Sequence, residues 1–274
     1  MLRTLDDGSA EGRAALTGRR AGPDERVRRA LVLAAGNGDR FRNPTRESKL
    51  LQLVLGRPLI MRTIESAREA GITAVEIVLG YQAGRVRAVI EREAPADIAV
   101  HFSHNRDWHL QNGVSVLAAR GRLRSRFALL MGDHLFEPRV LRRLLRARLG
   151  QAESLLGVDS RPTAPEIASE ATKVRLRGSR IVAIGKALTD YDALDTGLFV
   201  CAPSLFEALE SALADGDTTL SGGIRVLAAR GLMRAFDIGD ATWCDIDTIE
   251  DLDSAESLLG GGGEPAAPAA SGLV

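Results

Sequence analysis

Glycine, arginine and lysine cluster early in this chain in an arrangement suited to a polyphosphate. Residues 31–49 read LVLAAGNGDRFRNPTRESK: an apolar run, Leu31 to Ala35, leads into Gly36, Asn37 and Gly38, then Arg40, then Lys49. Glycines at the carboxyl end of a strand let backbone N–H groups approach an anion, because no Cβ blocks the way. One guanidinium and one ammonium beside such a turn add the positive charge a polyphosphate needs. The spacing is not that of a P-loop, which places Gly-Lys-Ser/Thr directly after its glycines. Phe41 stands at the third-glycine position of the dinucleotide fingerprint, which excludes that motif too. A purely structural tight turn is the competing reading.

Two acidic stretches could hold a cation. Asp133, in MGDHLFEP, follows the buried-looking run Phe127 to Met131, a position where a carboxylate suits a divalent ion bridging phosphates. Its alternative role is to cap a helix near Glu137. Asp245 and Asp247, in WCDIDT, share a face if that segment is a strand, and two such carboxylates repel unless a cation or base lies between them. Asp247 could equally begin the next helix as its N-cap. His134 reads as a hydrogen-bonding residue. His101, His104 and His109 are close in sequence, but their spacing does not imply the convergence that zinc requires.

Lysine usage adds a hint. Of 36 basic residues only Lys49, Lys173 and Lys186 are lysines, so arginine fills nearly every ordinary surface position. A lysine kept in that background points to a place needing a compact point charge instead of a planar fork.

These residues must be positioned by a scaffold, and the pattern predicts one. Strand-like runs at 27–35, 74–79, 98–102 and 127–131 alternate with helix-like segments at 58–70, 85–93, 114–119 and 140–149. Continuous apolar strands between helices imply a mainly parallel sheet covered on both faces, with ligands beyond the strands' carboxyl ends. The second half differs: a hairpin at 171–177 and 180–186, a strand at 193–201, helices near 204–213 and 222–230, a strand at 232–238 and a closing helix at 248–259. The expected organisation is a loosely attached extension over 1–26, a folded body over 27–259 and a low-complexity tail over 260–274.

Composition excludes several classes. The formal net charge is zero, so no global field favours nucleic acid or an anionic membrane. No apolar run has the roughly 18 residues of a membrane span. The first 28 residues carry no hydrophobic signal segment, and Cys201 and Cys244 lack metal-type spacing, so a reducing cytoplasm is expected.

The ordered set LAAGNGDRF, SKLL with VLGRPLI, MGDHLF, IGKAL, DTGLF and WCDIDT resembles the sugar-phosphate nucleotidyltransferases, and among them the CTP:inositol-1-phosphate cytidylyltransferases, over roughly residues 28–259. The resemblance implies a single α/β domain with a mixed, mostly parallel sheet, helices on both faces and a small acceptor-binding hairpin lobe. It implies that Leu33, Ala34, Gly36, Asn37, Gly38 and Arg40 wrap a nucleotide triphosphate, that Lys49 faces the transferring phosphates, and that Gln111, Asn112 and Gly113 read the base. Asp133 with Asp245, and Asp247 beside them, would hold Mg²⁺. Lys186 would meet the acceptor's phosphate, with Asp195, Thr196 and Gly197 lining the acceptor pocket. Lys173 matches no family role. Leu50 replaces the proline of the usual SKPL, and the stretch between Gly38 and Lys49 is longer than in many relatives.

The implied reaction moves a cytidylyl group from CTP to inositol-1-phosphate, giving CDP-inositol and pyrophosphate, with Arg40, Lys49 and Lys186 as the catalytic cations. Phosphocholine, or a sugar-1-phosphate with another nucleotide, is the alternative pair; a nucleotide-binding regulatory domain without turnover is the alternative of another class. The scarcity of aromatic residues near the acceptor motifs disfavours a choline cage.

Overall fold

A computed structural model describes residues 26–38, 40, 41, 47–161 and 165–260. The extension over 1–25, most of the segment between Gly38 and Lys49, and the tail over 261–274 lie outside the described residues. In the first half β1 (Arg29–Ala34) leads through a short hairpin, β2 (Leu53–Val54) and β3 (Arg57–Pro58), into α1 (Leu59–Ala70). Then come β4 (Ala74–Leu79), α2 (Ala83–Glu93), β5 (Ala99–His104), α3 (Asn112–Ala118), β6 (Phe127–Met131), β7 (His134–Phe136) and α4 (Pro138–Leu144). The second half holds β8 (Ser154–Asp159), α5 (Pro165–Glu170), β9 (Lys173–Arg177), β10 (Arg180–Gly185), β11 (Ala193–Cys201), α6 (Ser204–Ala214), α7 (Leu220–Ala229), β12 (Met233–Asp237), β13 (Trp243–Asp245) and α8 (Ile249–Gly260).

Nine strands form one sheet in the order β5-β4-β1-β6-β11-β8-β12-β10-β9. The ladders β5–β4, β4–β1, β1–β6 and β8–β12 are parallel, whereas β11 and β10 run against all their neighbours. The sheet is therefore mixed, with most strands pointing one way, as expected. The β9–β10 hairpin is not set apart as a lobe: β10 pairs with β12 and β9 with β11, so it finishes the sheet. β8 is absent from the sequence expectation, although SLLGVD is buried throughout.

The continuous apolar runs are explained by two cores. Alternate residues of β1 enter opposite faces: Ala30, Val32 and Ala34 join one cluster, Leu31, Leu33 and Ala35 the other. On the first face Ile60, Met61 and Ile64 of α1, Val86 and Ile90 of α2, and Val140, Leu141 and Leu144 of α4 complete the packing. On the second, Val116 of α3, Leu205 and Leu209 of α6, and Ile224 and Leu227 of α7 do so. A sheet buried on both faces has only its strand ends free for chemistry, which fixes where a site can form.

Candidate active site

Three segments meet beyond the carboxyl ends of β1 and β6. The N–H of Gly132 donates to the Leu33 carbonyl at 2.9 Å, holding the two strand ends side by side. From there the chain enters β7, which pairs with β13 so that His134 lies opposite Asp245. The Ile246 N–H donates to the Asp133 carbonyl at 3.2 Å, and the Thr63 hydroxyl of α1 bonds the Gly132 and His134 carbonyls. This two-stranded ribbon is what brings the distant acidic stretches together. Asp133 sits in the turn between β6 and β7; the cap of α4 is Glu137 instead.

The positive residues are already engaged with those acids. Lys49 Nζ lies 2.8 Å from Asp133 Oδ2 and 3.0 Å from Asp247 Oδ1, and Arg40 Nη2 lies 2.5 Å from Asp247 Oδ2. Gly38 turns with φ +64° directly over the Lys49 side chain, where a Cβ would sit 3.3 Å from Lys49 Cβ. Leu33, Ala34, Gly36 and Gly38 line one cleft with Lys49 and Asp133. Burial alone would lower the Lys49 pKa, but the carboxylates of Asp133, Asp247 and Asp245 reverse this and hold it well above its ordinary value. Lys49 is therefore a fixed cation.

His134 joins the site to the Asp195-Thr196-Gly197 turn. Its Nδ1 is 3.1 Å from the Thr196 carbonyl, so that nitrogen carries the proton, and its Nε2 faces Asp245 Oδ1 at 3.4 Å and Asp133 Oδ1 at 3.9 Å. Burial would lower its pKa; the Asp245 charge and contact, with Asp133 and the Thr196 carbonyl, raise it to about 9. Asp245 moves the other way: burial would raise its pKa, and His134, Lys49 and Arg40 outweigh that and depress it strongly. Asp247 is raised, first by burial and then by the Asp245 charge, against the pull of Lys49 and Arg40. Asp195 is raised to about 6, chiefly by burial, although it accepts the Gly197 N–H at 2.8 Å. Thr196 is fully buried and anchors the turn through its hydroxyl to the Gly157 carbonyl at 2.7 Å.

The expectation that Asp245 and Asp247 alternate along one strand needs correction. β13 ends at Asp245, and Asp247 lies in the short turn before α8, which begins at Ile249. Nor is Asp247 the cap: Thr248 Oγ1 accepts from Asp251 N, while Asp251 Oδ2 accepts from Asp247 N and Thr248 N, a reciprocal capping box with Asp in the place of Glu. Asp247 instead serves Lys49 and Arg40.

The best cation donors among the described residues are Asp133, His134 and Asp245, whose ligand atoms lie within 4.8 Å of one another. Asp245 Oδ1 is buried and makes no well-aligned hydrogen bond, its nearest charged neighbour being the His134 ring at 3.4 Å, so it retains lone pairs for a cation. The two carboxylates suit a divalent ion, and the His134 ring could join them only by giving up its Nε2 proton. His101 and His104 lie on the edge strand β5, away from this group.

The remaining predicted residues have contacts outside this cluster. Asn112 Oδ1 accepts the Leu220 N–H at 2.9 Å, which satisfies the first turn of α7, and Gly113 is buried against Thr218 and Thr219. Gln111 is exposed just before α3. Lys186 is exposed at the end of the β9–β10 hairpin, and its carbonyl accepts from Lys173. Sequence reasoning missed the bridging role of His134; its adjacency to Asp133 was the available signal.

A model of the MobA-like NTP transferase domain matches residues 30–221. The chain belongs to this family of nucleotidyltransferases. It is 36% identical over 252 residues to the bifunctional IPC transferase and DIPP synthase of Rubrobacter xylanophilus, covering 86% of this chain and 54% of that protein. Against the Aquifex aeolicus protein of the same description the identity is 33%, over 85% of this chain and 52% of that one. The chain thus spans about half the length of these curated relatives. Among solved structures the inositol-1-phosphate CTP transferase from T. maritima superposes with a TM-score of 0.74 at 26% identity, covering 88% of this chain and 99% of that one. Among the described residues no helix is long and apolar enough to cross a membrane.

Proposed function

We propose that this nucleotidyltransferase moves a cytidylyl group from CTP to inositol-1-phosphate, releasing pyrophosphate. The observation that carries the reading is the meeting of the glycine turn and Lys49 with Asp133, His134 and Asp245 at one sheet edge. The relatives named above support the choice of nucleotide and acceptor.

An oxygen of the acceptor phosphate attacks the α-phosphorus of CTP, the bond to the bridging oxygen breaks, and pyrophosphate leaves in line. A phosphate monoester is largely dianionic near neutral pH, its second pKa being about 6, so no general base is needed. The protein's task is alignment and neutralisation of charge. Asp133 and Asp245 would hold Mg²⁺ with His134 orienting Asp245, and the ion would supply positive charge for the phosphates. Lys49 gives up Asp133 for the phosphates and Arg40 turns part of its guanidinium to them, while Asp247 stays beside both cations to restrain them. Lys186 takes the acceptor's phosphate, and the Asp195-Thr196-Gly197 turn forms the acceptor wall next to His134.

The test is a pyrophosphate-release screen crossing four nucleoside triphosphates with inositol-1-phosphate, phosphocholine and common sugar-1-phosphates. CTP with inositol-1-phosphate should give the highest kcat/KM, and Asp133→Asn should abolish it. A better rate with another pair replaces the substrate assignment. Nucleotide binding with no release for any pair replaces it with the regulatory reading.

A further inference from the structure

Lys173 is the one lysine of three with no assigned role, and its surroundings are unusual for a cation. It begins β9, is 9% exposed, and donates through Nζ to the Lys186 carbonyl at 2.8 Å. The Tyr191 ring lies 5.9 Å away. The acids nearest in sequence are turned to other partners: Asp190 pairs with Arg175, Asp192 accepts the Leu176 N–H, and Asp195 accepts the Gly197 N–H. Among the described residues no carboxylate comes within ion-pair distance of the ammonium, which is met by a carbonyl and a ring, neither of which neutralises it. A nearly buried cation with no described counter-ion is costly.

Its location gives the cost a use. Lys173 lies across from Gly185 on β10 and from Leu194 on β11, so it stands where the hairpin carrying Lys186 joins the strand carrying Asp195. The preceding carbonyl, Thr172, accepts the Asp195 N–H at 2.9 Å. Both proposed acceptor turns are therefore fastened at the start of β9.

We infer that Lys173 is a positioning residue for acceptor-phosphate binding: it fixes the Lys186 turn through that carbonyl and supplies a positive charge that the incoming phosphoryl group compensates. The inference rests on the reading of Lys186 as the acceptor contact.

The experiment measures both KM values, kcat and Tm for Lys173→Met, Lys173→Gln and Lys186→Gln, using the acceptor selected by the screen, with inorganic phosphate as a competitor against it. Lys173→Met should raise the acceptor KM about tenfold or more, the effect of losing a charge-assisted contact. It should raise the inhibition constant of phosphate in parallel and leave the CTP KM within about twofold. Tm should hold or rise, because an unmatched buried charge has been removed. Lys173→Gln, which keeps a donor for the Lys186 carbonyl, should recover part of the loss. A lowered Tm with an unchanged acceptor KM, or equal changes in both KM values, overturns the inference. If Lys186→Gln raises the acceptor KM and Lys173→Met does not, this inference alone fails. If Lys173→Met raises it and Lys186→Gln does not, the Lys186 reading fails and the contact moves to Lys173.

Discussion

Gly197→Ala tests whether His134 is held as described. Gly197 has φ +73°, and a Cβ there would lie 2.5 Å from His134 Cε1, closer still to Nδ1, and 3.2 Å from Met131 Cγ. Placing alanine in the left-handed region costs about 1–2 kcal/mol. Forcing a packed ring aside adds about 1–3 kcal/mol. The sum is about 3 kcal/mol, and at about 2–4 °C per kcal/mol for a chain this size the melting temperature should fall roughly 10 °C. The displaced ring also loses the Thr196 carbonyl and its approach to Asp245. Mn²⁺ affinity, followed by calorimetry, should therefore weaken along with stability. Adding His134→Ala removes the steric part and leaves only the backbone cost, so the double-mutant cycle should give a coupling of about 1–3 kcal/mol. A Tm loss under about 2 °C, or no coupling, would refute the packing of His134 against this turn.

Three further outcomes follow from the same geometry. Asp133→Asn should lower kcat on the order of a thousandfold or more while the far-UV spectrum stays folded, since it removes charge from the reacting end and a partner from Lys49; near-normal turnover would sink the site. Asp159 is held below its ordinary pKa because hydrogen bonds from Arg161 and Trp243 outweigh its burial, so its contribution is present above its unfolded value and lost as pH falls through the lower folded one. Asp159→Asn should cost about 2 kcal/mol at pH 7 and progressively less below about pH 4 in urea titrations; a pH-independent penalty contradicts the assignment. Asn112→Ala should cost about 1 kcal/mol by freeing the Leu220 N–H, and a change confined to the CTP KM would favour base reading over capping.

Much of the scaffold was legible because its signals are strong and local. The two-sided burial of β1 follows from its unbroken apolar run, and the glycine turn and Asp133 follow the carboxyl ends of β1 and β6, where open parallel strands leave room for a site. What escaped depends on pairing at long range. β7 and β13 have three residues each, too few for a period to register, yet their ladder sets Asp245 opposite His134. Asp247 was assigned by strand alternation, which fails because α8 starts immediately and Asp251 takes up the free N–H groups. Asn112 carries the residue type of a base reader and spends its oxygen on the first turn of α7. The hairpin over 171–177 and 180–186 is legible in the sequence, but its seat in the main sheet beside β12 and β11 is not.

The mutual pairing of Lys49 with Asp133 and Asp247, and of Arg40 with Asp247, has a thermodynamic consequence. A divalent ion arriving alone must displace a lysine and strand it; a polyphosphate arriving alone must draw the cations off and leave bare carboxylates. Only the metal–nucleotide chelate trades partner for partner, so each component should raise the affinity for the other, reciprocally and by the same factor.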